Sequence, residues 1–72
     1  MNKRNRVEDA CRNELALAEY LVTKWDTRYT AYRMAYHTLE GMEKAFLAAC
    51  EWDLLPMVRH YTFSAFHHML RK

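Results

Sequence analysis

The sequence predicts an all-α protein built as a helical hairpin, and three observations carry that prediction. Apolar residues recur at alternating steps of three and four over most of the chain, the mark of one buried helical face. One Gly and one Pro in 72 residues leave too few turn residues for a sheet of many short strands. Apolar residues at 51% and charged residues at 28% are ordinary for a folded globular chain and wrong for a disordered one. A chain of this length makes one domain, 1–72, with residues 1–4 expected as a flexible basic tail.

The first element is a long helix. Leu15, Ala18, Val22, Trp25, Tyr29, Tyr32, Tyr36 and Leu39 form a heptad seam, and Leu17, Leu21 and Ala35 widen it on one side. Carried from about residue 5 to 39, such a helix is roughly 50 Å long. Thr23, Thr27 and Thr30 are poor interior residues, because branching at Cβ restricts them against the preceding turn. Continuity through residues 26–30 therefore stays open. Gly41, the lone glycine, stands just past Leu39 and Glu40, where a left-handed cap would end the helix.

Two shorter helices follow. Met42, Ala45, Phe46, Ala49, Cys50 and Trp52 share one face of the second. Pro56 splits it from the third, or sits in the third one's first turn, where a missing N–H costs nothing. Asp53 is placed to help cap that restart. In the third helix Met57, Val58, Tyr61, Ala65 and Met69 make the core face. The expected core seam is thus Leu15, Val22, Trp25, Tyr29, Tyr32, Tyr36, Leu39, Phe46 and Trp52.

Size then argues for association. A chain this short buries only about 60% of its unfolded surface. Two cysteines allow one disulfide at best. A homodimer with four-helix packing would supply the missing buried area, and a compact three-helix unit is the alternative.

On the third helix Arg59, Phe63, Phe66 and Leu70 point away from the core residues as a second stripe, with His67 beside it. A neighbouring helix covers such a stripe in the plain reading. In the functional reading, Arg59, Phe63, Phe66, His67 and Leu70 anchor another protein, with aromatic and Arg side chains as hot-spot types. The expected activity is that of a small accessory protein, a regulator, adaptor or inhibitor of another protein.

Charge is uneven. Residues 1–12 carry net +2, residues 13–55 net −3, and residues 56–72 net +3 with no acidic group. In a hairpin both termini meet, so Lys3, Arg4, Arg6, Arg71 and Lys72 would form one basic pole able to contact nucleic acid. A pI near 8.7 lies below that of a dedicated nucleic-acid domain, so this stands as the competing class. Solvated tails are its plain reading. Arg28 and Arg33 among Tyr29, Tyr32 and Tyr36 have the parts of a base-stacking platform, yet these tyrosines also continue the core seam. A structural assembly subunit is a third class.

Chemistry is sparse. Cys11, His37, Cys50, His60, His67 and His68 contain no pair at metal-ligand spacing, so neither metal nor cofactor is expected. Ser64 has His60 and His68 one turn to either side, as helical geometry alone would place them, with no orienting carboxylate evident. An enzyme is not expected. No stretch reaches the ~18 apolar residues of a membrane span. The basic opening residues are followed by Glu8, Asp9, Arg12 and Glu14 where a signal peptide needs an apolar run. A cytoplasmic setting is the expectation.

Overall fold

A computed structural model describes residues 2–71, and every regular element among them is helical: α1 Lys3–Trp25, α2 Arg28–Ala48 and α3 Leu55–Leu70. The elements form an antiparallel three-helix bundle within one chain. The expected hairpin with one long helix is therefore corrected to the three-helix alternative.

Asn2 starts α1: its side-chain oxygen accepts from the Asn5 N–H at 2.8 Å. Lys3 and Arg4 lie in the first turn, so the tail expected over residues 1–4 is shorter than that, with Met1 outside the described residues. Three cations, Lys3, Arg4 and Arg6, open a helix whose N-terminus is itself positive, an arrangement the helix dipole disfavours. Lys3 is compensated by an ion pair with Glu51 at the start of the α2–α3 connection. Asn2→Ala should cost about 1 kcal/mol in a urea melt, because the cap is the one local term that favours this end.

Two residues separate α1 from α2. Asp26 adopts a left-handed conformation, φ 52° and ψ 50°, and its N–H still bonds to the Val22 carbonyl at 2.8 Å. Asp is among the few non-glycine residues that tolerate this region. The chain reverses there, and the seam read straight through Trp25 and Tyr29 breaks into two separate phases. Trp25 ends up 64% exposed and Tyr29 56% exposed, a correction to their expected core positions.

Gly41 caps nothing. It lies inside α2, exposed, with room for a Cβ on every side. Leu39, Met42 and Phe46 hold one face across it, and their burial outweighs the ~1 kcal/mol helix penalty of one glycine. Gly41→Ala should therefore stabilise the fold by about 0.5–1 kcal/mol, read as a higher denaturation midpoint.

The true end of α2 comes later. Cys50 takes the left-handed position at φ 58°. Its N–H bonds to the Leu47 carbonyl at 3.1 Å, and the Glu51 N–H reaches back to Phe46 at 2.9 Å. That is the Schellman arrangement with cysteine in the place glycine usually fills. Trp52 follows in the turn and is 59% exposed, which corrects its expected place in the core. Pro56 occupies the first turn of α3, several residues after the break, and no side chain caps this helix, Asp53 included.

The core draws Cys11 and Ala18 from α1, Ala31, Tyr32, Ala35 and Leu39 from α2, and Val58 and Ala65 from α3. Leu15, Val22, Tyr36 and Phe46 pack against it while partly buried. Met57, Val58 and Ala65 are buried on α3, with Tyr61 and Met69 at the margin, as the helical spacing predicts. Short alanine side chains let the three helices approach closely.

Polar ties pin the helices at their edges. The Tyr61 hydroxyl donates to Glu8 at 3.1 Å and accepts from Arg12 Nε at 3.3 Å, joining α3 to α1. The Tyr32 hydroxyl donates to Glu19 at 2.5 Å, joining α2 to α1. The buried Thr62 hydroxyl returns to the Val58 carbonyl at 2.9 Å and so needs no further partner.

Candidate functional site

Packing against α2 fixes which side of α3 meets solvent. Val58, Thr62 and Ala65 face inward, which turns Arg59, Phe63, Phe66 and Leu70 outward along one stripe. Phe63 is 67% exposed, Leu70 59% and Phe66 43%. His67 is exposed just beyond them. All five residues read from the sequence as a docking stripe stand at the surface.

The stripe does not end at α3. The Phe66 ring lies 5.6 Å from the Tyr36 ring on α2, tilted by 49°. Tyr29 and Tyr36 are seven residues apart, two turns of one helix face, with Arg33 between them. Two adjacent helices thus carry Tyr29 and the half-buried Tyr36 on one side of their seam, and Phe63, Phe66 and Leu70 on the other. The heptad seam places both tyrosines in the core, and of the two Tyr36 does pack against it while half-buried whereas Tyr29 is exposed. Their joint spacing with Arg33 was the available signal, once α2 is phased from Arg28 rather than from α1.

Glu40 edges this face on α2. It accepts from the Tyr36 hydroxyl at 3.2 Å and lies 3.6 Å from His37 Nδ1. The Glu40 charge raises the Tyr36 phenol above its ordinary pKa, and their hydrogen bond adds to the effect. At neutral pH Tyr36 stays a neutral donor.

The tyrosine run is no stacking platform. Tyr32 is 2% exposed, with His68 stacked on it at 4.9 Å and the Arg28 guanidinium 5.8 Å from its ring centre. Burial and the adjacent Glu19 push its phenol up to about 12. Of the three tyrosines only Tyr29 and Tyr36 reach the outside, and they do so beside α3.

The basic pole is also divided. Lys3 reaches Glu51 and lies over the Phe46 ring, so Arg4 and Arg6 sit at the end of the bundle that holds the α2–α3 connection. α3 then runs for 16 residues, about 24 Å, in the other direction. His68 against Tyr32 places its C-terminal end, and Arg71 with it, near the start of α2. A hairpin brings the termini together, whereas a third helix carries the last residue to the far end. Lys72 lies outside the described residues.

An apolar recess lies between α1 and α2. Leu17, Leu21 and Met34 wall it over a floor of Ala18, Ala31 and Ala35, with Glu14 at its rim. The two thiols are free: Cys11 is buried in the core and Cys50 is exposed in the connection. Burial, with Glu8 and Glu14 close by, pushes the Cys11 thiol up to about 11. No helix among the described residues is long and apolar enough to cross a membrane. No known protein family, curated protein or solved structure matches the chain.

Proposed function

We propose that this chain is a small, non-enzymatic protein-binding regulator, an adaptor or inhibitor, that acts in the cytoplasm through the outer face of α2 and α3. One observation carries the reading: Phe63, Phe66 and Leu70 stand exposed on one helix beside Tyr29 and Tyr36 on the next. Scattered apolar residues at a surface are ordinary, but a contiguous cluster on two helices resembles an interaction site. Aromatic side chains flanked by Arg59 and Arg33 are hot-spot types. The mechanism is occlusion, in which the face covers a segment of its target, with Phe63 and Phe66 as buried anchors.

The decisive comparison is a pull-down from native cell extract with wild type and Phe63→Ser/Phe66→Ser side by side. Phe63 is largely exposed but Phe66 also packs on Tyr36, so the variant should lose roughly 1–3 kcal/mol while remaining helical by circular dichroism. Loss of a specific partner by a variant that is still folded supports the proposal. Identical recovery by both proteins would defeat it.

Homodimerisation through the same face is the competing use, together with its extension to a structural assembly subunit. Light scattering separates these: either use predicts a mass above one chain that falls in the Phe63→Ser/Phe66→Ser variant. The nucleic-acid reading now rests on Arg4 and Arg6 at one end of the bundle, apart from Arg71 at the other. Phosphate binding would weaken steeply between about 50 and 200 mM salt, whereas an apolar anchor would hardly respond.

A further inference from the structure

We infer that the occupant of the α2–α3 face is an acidic amphipathic helix of a partner protein, an inference that rests on the docking reading above. Shape is the first support. α2 and α3 run antiparallel with Phe66 against Tyr36 across their seam, and a further helix packs along such a seam as the fourth member of a bundle does. From Arg59 to Leu70 the stripe spans about three turns, the length over which a docked helix sets three or four apolar anchors.

Charge is the second support. Arg59 heads the stripe on α3, Arg71 closes it, and Arg33 stands between Tyr29 and Tyr36 on α2. None of the three guanidiniums pairs with a carboxylate of the described residues. Residues 56–72 contain no acidic side chain at all. On α2, Glu40 is engaged by Tyr36 and His37, and Glu43 turns an unpartnered oxygen out of solvent. The seam is therefore apolar along its centre, with the unpaired Arg33, Arg59 and Arg71 around it and the already engaged Glu40 on its α2 edge. Glutamates flanking an apolar helical stripe complement both features, and Arg with carboxylate forms the stronger, two-pronged kind of hydrogen bond.

A second copy fits less well. Pairing two α3 helices antiparallel about Phe63 and Phe66 sets Arg59 of each opposite Arg71 of the other. Pairing them parallel sets Arg59 on Arg59. Either way like charges meet with no carboxylate on α3 to offset them. A nucleic acid fits less well too, because Arg59 and Arg71 are separated by about 18 Å of apolar surface and make no continuous phosphate track.

Two designed peptides of about 18 residues test this by fluorescence anisotropy in about 150 mM salt. They share one Leu/Phe stripe and differ only in carrying Glu or Lys on its flanks; a single-stranded oligonucleotide is the third probe. The Glu peptide should bind at least roughly tenfold tighter than the Lys peptide. Arg33→Glu/Arg59→Glu/Arg71→Glu should reverse that order, and Phe63→Ser/Phe66→Ser should remove binding of both peptides. Equal binding of the two peptides, or binding of neither, overturns the acidic partner. Tighter binding of the oligonucleotide than of the Glu peptide overturns it in favour of nucleic acid. The docking reading fails by a separate result, a pull-down that does not respond to Phe63→Ser/Phe66→Ser.

Discussion

Leu39→Ala is expected to remove about 3 kcal/mol of folding stability. Leu39 is fully buried, halfway along α2. Half of the buried core cluster to which Leu39 belongs is alanine: Ala18, Ala31, Ala35 and Ala65. Those methyl groups are fixed to helix backbones and cannot swing inward to fill the space a leucine leaves. The cavity should stay open, and the cost of such a truncation rises with the cavity that remains. A 72-residue domain has roughly 4–11 kcal/mol in total, so the variant forfeits about a quarter or more. Its melting temperature should fall by roughly 12–24 °C. Urea denaturation followed by circular dichroism checks this. A loss below about 1 kcal/mol would mean that the helices close over the gap and that the core is more plastic than its packing implies. Leu39→Met, which keeps the volume, should cost less than about 1.5 kcal/mol.

Alkaline pH should destabilise the protein with almost comparable effect. Cys11 is raised from an ordinary 9.0 to about 11, and Tyr32 from 10.0 to about 12, both chiefly by burial. Each group holds its proton more tightly folded than unfolded. Once pH passes the unfolded value, the unfolded state loses the proton first and gains stability relative to the fold. The contribution is thus complete below pH 9 for Cys11 and below pH 10 for Tyr32. It is spent by about 11 and 12 respectively. At about 1.4 kcal/mol per pH unit, each group can withdraw at most about 2–3 kcal/mol. Urea midpoints measured at successive pH values should fall steeply through this window. In Tyr32→Phe the fall above pH 10 should be shallower, with little change in slope between 9 and 10. A midpoint independent of pH from 9 to 11 would show that the Cys11 thiol is not held out of water.

The legibility of this fold differs between its two halves. On α3 the spacing of Val58, Ala65 and Met57 against Phe63, Phe66 and Leu70 sorted inside from outside correctly, because one unbroken helix keeps one phase. The first half failed at one residue. Asp26 in a left-handed conformation reverses the chain without a glycine or proline to mark it, and the seam stepping from Trp25 to Tyr29 runs across that reversal. Counting apolar steps cannot detect a change of backbone sign between them. Gly41 misled for the complementary reason. Glycine permits a cap, but the register of Leu39, Met42 and Phe46 demanded continuity, and Cys50 took the left-handed position instead. The basic pole failed as a consequence, since one more reversal sends Arg71 to the other end of the molecule. The exposure of Phe63, Phe66 and Leu70 was legible because it depends on α3 alone, while the placing of Tyr29 and Tyr36 needed the correct phase of α2.

The unlike settings of the two cysteines have a practical side. Cys11 is shut inside the core and scarcely ionised at neutral pH, while Cys50 stands open to solvent on the α2–α3 connection. A maleimide dye should therefore attach at a single position in the wild-type chain, with no mutagenesis. That position is roughly the length of α3 away from Leu70, within range for energy transfer to a second dye at the far end of the helix.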